Sequence, residues 1–183
     1  TSGGPNFAYD LVSRQVTPKQ LKNLDLSSWS IAFSGAEPVR GATLERFAET
    51  FAPCGFRREA FYPCYGMAET TLFISGGTKT KAPVIKYLDA EALAENRVVF
   101  GGEKSRAVVS CGWGWLGDEI VIVDPESLTR HSEGEVGEIW VSGAGVGKGY
   151  WRQPEETEQT FNAFLADQGP FLRTGDLGFL QDG

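Results

Sequence analysis

Apolar residues in the first third of the chain recur at helical spacing in two stretches, with short apolar runs of strand length between and after them. Phe7-Ala8-Tyr9-Asp10-Leu11-Val12 follows Pro5-Asn6, and Asn6 is a candidate N-cap for a helix. Thr17-Pro18 opens a second, short helix, because proline at the first helical position gives up no needed N–H. Trp29-Ser30-Ile31-Ala32-Phe33 reads as a short buried strand that Ser34-Gly35 ends. Leu44, Phe47, Ala48 and Phe51 then mark the core face of a helix over residues 38–51, stopped by Pro53 and Gly55. A second strand is expected at 59–62. Strand, helix and strand of these lengths predict a parallel βαβ unit.

The pattern changes after Gly76. Residues 78–86 hold three lysines and a proline, and residues 89–96 suit a short helix. We read 79–107 as an inserted surface segment. Beyond it, strand-like runs at 107–111, 119–123 and 138–141 are separated by Gly, Pro and Asp. Ile120, Ile122, Ile139 and Val141 are the alternating positions expected to face a core. The fold class expected is therefore α/β: a partial parallel βαβ subdomain in 1–78, the insertion, and a small distorted β-barrel subdomain in 108–183.

Composition narrows the function classes. The 183 residues are 41% hydrophobic and 12% aromatic, which excludes general disorder. Seventeen basic and 24 acidic residues leave a net charge of −7 with no basic stripe, so nucleic acid is not an expected partner. Cys54, Cys64 and Cys111 lack disulfide or zinc spacing and read as small buried hydrophobes in a reducing, cytoplasmic setting. No apolar run is long enough to span a membrane. The start at Thr1-Ser2-Gly3 lacks an initiator methionine, and the chain is expected to be a piece of something longer.

Candidate chemistry lies in a few loops. The glycine run Gly143 to Gly149 fails the P-loop pattern, which requires four residues between its glycines and Ser or Thr after the lysine; glycines bending a barrel strand account for it. His131, the single histidine, reads as a solvated turn residue. Tyr65-Gly66-Met67-Ala68-Glu69-Thr70 sits at the C-terminal end of a strand, where open α/β sheets place ligands. There an aromatic face can stack on a purine and a carboxylate can hold a divalent cation beside phosphates. The same residues also suit a strand-to-helix turn with a buried tyrosine. Ser34-Gly35-Ala36-Glu37-Pro38 ends the preceding strand with small residues that leave a slot. In Arg173-Thr174-Gly175-Asp176, the aspartate follows a glycine turn and is suited to accept two ribose hydroxyls, or is an ordinary β-turn aspartate.

Taken in order, Gly137-Glu138-Ile139-Trp140-Val141, Gly149-Tyr150-Trp151 and Arg173-Thr174-Gly175-Asp176-Leu177 resemble the core motifs of adenylate-forming enzymes. Within that superfamily the chain looks most like the fatty acyl-AMP ligases, through Pro5-Asn6-Phe7-Ala8-Tyr9-Asp10-Leu11, Ser34-Gly35-Ala36-Glu37-Pro38-Val39-Arg40 and Tyr65 to Leu72. The segment 79–107 resembles the insertion that separates those ligases from acyl-CoA synthetases. The resemblance implies ATP and Mg²⁺ as cofactors, a fatty acid as substrate, and an acyl carrier protein with its phosphopantetheine thiol as acceptor. It implies that Gly35, Ala36 and Glu37 flank one face of adenine and Tyr65 the other. Gly66, Met67 and Ala68 would line the nucleotide and activated carboxylate, Glu69 would hold Mg²⁺, Asp176 the ribose, and Phe7 would border the acyl tunnel. Where many relatives carry a threonine before the glutamate this chain has Ala68, so that phosphate contact is absent or comes from Thr70 or Thr71. The family's phosphate-loop and C-terminal lysines would lie outside this chain, so no complete catalytic set is expected within it. An acyl-CoA synthetase and a non-catalytic nucleotide- or partner-binding module are the alternatives.

Overall fold

The computed structural model describes residues 1–115 and 117–183, which divide into two compact units. The first comprises Thr1–Gly66, Ser75–Tyr87 and Ala107–Trp113; the second comprises Met67–Ile74, Leu88–Arg106 and Gly114–Gly183.

In the first unit, strands β1 (Ser2–Gly4), β2 (Ala32–Ser34) and β3 (Phe61–Tyr65) pair in parallel, in that spatial order. Helices α1 (Asn6–Gln15) and α2 (Pro18–Leu21) make the first crossover and α3 (Gly41–Phe51) the second. The expected βαβ unit is therefore present, preceded by one more β-strand. Strand β4 (Ser75–Gly76) adds to β3 in antiparallel sense. The core is aromatic. Phe47 of α3 meets Tyr9 of α1 and Phe56, each edge-on at 5.0 Å, and Phe56 meets Phe61 of β3 at 4.9 Å. The 3- and 4-residue spacing of Leu44, Phe47 and Phe51 puts all three on this face, and each is 4% exposed or less. Arg46 of α3 pairs with Asp10 of α1 at the rim.

Several boundaries differ from the pattern. Asn6 is not the N-cap: Pro5, in extended conformation, precedes the helix and its carbonyl accepts from Ala8 N, while the buried Asn6 side chain accepts from Arg40 N at 3.0 Å. That bond holds Arg40 extended, so α3 starts at Gly41 rather than at residue 38. Thr17 does cap α2, in a reciprocal box with Gln20. Trp29 donates its indole N–H to Ile31 O, which also accepts from Ser2 N, and β2 begins at Ala32. Residues 58–60 form a 3-10 turn, and β3 begins only at Phe61.

Strand β5 (Ile85–Asp89), helix α4 (Ala90–Ala94) and strand β6 (Ser105–Val109) follow, with β5 and β6 forming a two-stranded sheet. Asp89 caps α4 by accepting from Ala92 N at 2.8 Å. The run expected as a barrel strand at 107–111 thus belongs to β6 and pairs with β5. A two-residue strand β7 (Trp113–Gly114) comes next.

The second unit is built on a curled, half-barrel antiparallel sheet of β8 (Glu119–Val123), β9 (Gly137–Ser142), β10 (Ala163–Leu165) and β11 (Gln168–Gly178), ordered β10-β11-β9-β8. Helix α5 (Pro154–Phe161) precedes β10. Val121 pairs with Trp140, and the two join Val123, Leu165 and Phe171 in one apolar cluster. The isoleucines at 120, 122 and 139 lie on the opposite face. Because Ile122, Val141 and Leu172 are also buried, both faces of the sheet are covered, and alternation alone could not identify the core side.

Candidate functional site

In the first unit the candidate residues Gly35, Ala36 and Glu37 leave the C-terminal end of β2; Tyr65 ends the neighbouring β3 and Gly66 follows it. Side-by-side parallel strands open their following loops on the same edge, the edge that binds ligands in open α/β sheets. A Cβ on Gly35 would lie 2.9 Å from Cys64 Sγ and 3.0 Å from Cys64 O, so only glycine permits this approach. Ala36 adopts a left-handed φ of 65°, uncommon for a residue with a side chain and a mark of a constrained loop. Glu37 accepts the Phe7 backbone N–H at 2.6 Å, placing a carboxylate on the first turn of α1. The Phe7 ring itself is 61% exposed. Burial raises the Cys64 thiol and pushes Cys111 up to about 11, the neighbouring Cys64 adding to the latter.

The second unit carries Met67, Ala68, Glu69 and Asp176. Ala68–Thr70 form one 3-10 turn, closed by Thr71 and Leu72 at left-handed φ of 55° and 90°. Three bonds tie this turn to the glycine loop: Gly147 N donates to Glu69 O at 2.7 Å, Thr71 Oγ1 to Gly145 O at 2.7 Å, and Tyr150 Oη to Glu69 Oε1 at 2.8 Å. The glycines therefore do not bend a strand. They follow the end of β9 and permit close packing, since a Cβ on Gly147 would sit 3.2 Å from Glu69 O. The bond to Glu69 is the main cause raising the Tyr150 phenol above its usual value, with burial adding to it. Thr70 Oγ1 donates to Met67 O, so the hydroxyls of Thr70 and Thr71 both bond to backbone carbonyls within the unit.

Asp176 is exposed on a bulge of β11: between the pairs Arg173–Trp140 and Leu177–Glu138, Thr174, Gly175 and Asp176 lie opposite Ile139 alone. Glu138 anchors the bulge, taking Arg173 Nη2 at 2.8 Å and Gly175 N at 3.2 Å, while Thr174 Oγ1 donates to Ile139 O. Burial pushes the Glu138 carboxyl up, but the bonds and charge of Arg173, with Gly175, outweigh it and hold it below its usual range. His131 is not a freely solvated turn residue. Its side chain is 22% exposed, its Nδ1 lies 3.2 Å from Glu135 Oε2, and its ring packs over Gly137. Among the described residues, no group of three or more His, Cys, Asp or Glu is placed to hold a metal ion.

Tyr150, Gly147 and the Glu138–Arg173 pair were missed as contributors. The signal for Tyr150 was present in Gly149-Tyr150-Trp151, but nothing local connects that motif to a carboxylate 81 residues earlier.

The chain as a whole resembles known proteins along its full length. It is 50% identical to the medium-chain-fatty-acid–[acyl-carrier-protein] ligase JamA of Moorena producens (strain JHB), over all of this chain and 32% of that protein. It is 44% identical to the corresponding ligase TtuA of Teredinibacter turnerae, over all of this chain and 30% of that protein. The crystal structure of a fatty acyl-adenylate ligase from Legionella pneumophila, in complex with acyl adenylate and pyrophosphate, superposes with a TM-score of 0.92 at 46% identity, over 98% of this chain and 32% of that one. The chain thus spans about a third of the length of these relatives. Residues 1–151 match the AMP-binding enzyme family, and the chain belongs to it.

Proposed function

We propose that the protein carrying this chain activates a fatty acid with ATP. The acid's carboxylate oxygen bonds to the α-phosphorus, the bond to the bridging oxygen breaks, and pyrophosphate leaves with that electron pair. The thiol sulfur of the phosphopantetheine on an acyl carrier protein then gives up its proton and bonds to the acyl carbon, and AMP leaves with the electron pair of the broken acyl–oxygen bond. The observation that carries this reading is a likeness running the whole length of the chain, at 50% identity, to a ligase named for that acceptor.

In this reading Gly35, Ala36 and Glu37 flank one face of adenine and Tyr65 stacks on the other. Gly66, Met67 and Ala68 line the nucleotide and the activated carboxylate, and Asp176 accepts the ribose hydroxyls. Phe7, with its exposed ring, borders the acyl chain. The carboxylate of Glu69 fits Mg²⁺: a single carboxylate, with no cluster of three or more acidic or other ligating side chains among the described residues, suits an ion that takes most of its ligands from phosphates and water. Bound there, the ion would neutralise charge on the phosphates; Glu69 contributes its held carboxylate. Residues 1–78, 79–107 and 108–183 serve as nucleotide-binding subdomain, family insertion and barrel-like subdomain. No described helix is long and apolar enough to cross a membrane, and we place the protein in the cytoplasm.

Fatty-acid-dependent exchange of pyrophosphate into ATP by the complete protein tests the first step; its absence overturns the reading. Likeness to a putative fatty-acid–CoA ligase of Mycobacterium leprae, at 38% identity, keeps coenzyme A as the second acceptor to be tested. Efficient acyl-CoA formation with no transfer to carrier protein would replace the first choice with the second.

A further inference from the structure

We infer that Tyr150 is a positioning residue for Glu69, fixing the carboxylate that meets the divalent ion accompanying ATP. The inference rests on the reading of Glu69 proposed above. A glutamate on a three-residue 3-10 turn has little local structure to orient it, and it loses much rotamer freedom when held in one geometry. Its backbone is placed by Gly147, yet neither that bond nor the one from Thr71 to Gly145 reaches the carboxylate. Tyr150 does, at 2.8 Å.

Tyr150 is itself held from three directions. Its backbone N–H donates to Thr157 Oγ1 at 2.9 Å, its carbonyl accepts from Gln153 N, and its ring packs edge-on against Phe161 at 5.1 Å. Thr157 and Phe161 belong to α5, so the phenol is mounted on a regular element rather than on the loop it follows. A neutral phenol suits the task. It donates to one carboxylate oxygen and brings no positive charge that would repel a cation. Hydrogen-bonded partners of this kind orient a ligating carboxylate and commonly set metal affinity. The 81-residue separation makes Tyr150 the side-chain link between the turn and the glycine loop that ends on the functional group.

The test uses the complete protein with ATP and no fatty acid, titrated with Mn²⁺ and followed by the electron paramagnetic resonance signal of free Mn²⁺. Tyr150→Phe keeps the ring against Phe161 and removes only the hydroxyl. It is expected to weaken Mn²⁺ binding in the ATP complex about 10–100-fold, with ATP binding in the absence of divalent ion unchanged. In turnover, the Mg²⁺ concentration for half-maximal rate rises by a similar factor, and saturating Mg²⁺ restores most of kcat. Glu69→Gln weakens Mn²⁺ binding as well, and the double variant is no weaker than Glu69→Gln alone, as expected for residues acting through one interaction. If Glu69→Gln weakens Mn²⁺ binding while Tyr150→Phe leaves it unchanged, the positioning role is overturned and Glu69 stands. If Glu69→Gln has no effect, the assignment of Glu69 to the ion falls, and this inference with it.

Discussion

Arg173 grips the Glu138 carboxylate from the neighbouring strand, with Nη2 at 2.8 Å from Oε2 and Nε at 3.2 Å from the same oxygen, across 35 residues of sequence. The glutamate side chain is 7% exposed and the arginine 37%, so one charge is withdrawn from water and the other half-solvated. Glu138 also receives Gly175 N, which makes this pair the anchor of the bulge that carries Asp176.

Cutting the pair should therefore affect both stability and shape. Arg173→Ala leaves the buried carboxylate short of its main donor. Full burial of an unpaired charge costs about 3–5 kcal/mol; with Arg173 partly solvated, we expect about 2–3 kcal/mol. Urea unfolding of wild type and variant at neutral pH measures it. A loss below the scatter of surface ion pairs would show that the bulge holds without its anchor.

The same pair dictates a pH dependence. Glu138 has a folded value below the ordinary 4.5, so its stabilisation is complete above 4.5 and is lost as pH falls through the lower folded value. Glu138→Gln has no such group to protonate. The stability difference between wild type and Glu138→Gln should shrink as urea titrations move from pH 7 toward pH 3; a constant difference would refute the electrostatic account.

Gly35 should not tolerate alanine. The added Cβ would meet Cys64 Sγ at 2.9 Å and Cys64 O at 3.0 Å, with backbone on one side and a half-buried thiol on the other. Overpacking of this kind costs about 1–3 kcal/mol. Thermal melting should report that loss, and nucleotide affinity should fall with it because the loops after β2 and β3 are forced apart.

How far these features were legible depends on the range of the interaction. The Thr17-Pro18 helix start and the Leu44–Phe47–Phe51 face follow from neighbours within one or two turns, and both are present as expected. Asn6 was misjudged because its partner, Arg40, lies 34 residues away and draws the side chain from the cap. On β8 and β9 the expected face holds buried Ile122 and Val141, but the opposite face, with Val121, Val123 and Trp140, is buried too, and alternation alone gave no sign of that second core. At the candidate site the loops could be located, but their fastening could not: the Glu69–Tyr150 and Glu138–Arg173 links cross 81 and 35 residues and leave no periodic trace.

Cys64 and Cys111 should be chemically quiet near neutral pH. With Cys111 pushed up to about 11 and Cys64 also raised by burial, little thiolate is present at pH 8, on the order of one in a thousand for Cys111. Iodoacetamide should label the folded protein far more slowly than glutathione, and labelling of Cys111 should climb about tenfold per pH unit toward 11. Rapid labelling of Cys111 at pH 8 would place the thiol in a more open environment than this one.

Asp176 allows the nucleotide reading to be tested separately from the fold. Its side chain is exposed, while Gly175 N, Thr174 Oγ1 and Arg173 anchor the bulge, so thermal melting of Asp176→Asn, read beside AMP binding, separates a lost ligand contact from a loss of fold. If the carboxylate accepts ribose hydroxyls, the change removes charge-assisted bonds and weakens AMP binding by about 1.5–3 kcal/mol, roughly 10–150-fold. Calorimetry with 2′-deoxy-AMP separates ribose contact from a general charge effect. Wild type should lose affinity on losing that hydroxyl, whereas Asp176→Asn, already without the strong acceptor, should lose much less. Equal losses in both proteins would mean that Asp176 does not touch the ribose, even if its substitution weakens AMP, and the bulge on β11 would then need another role.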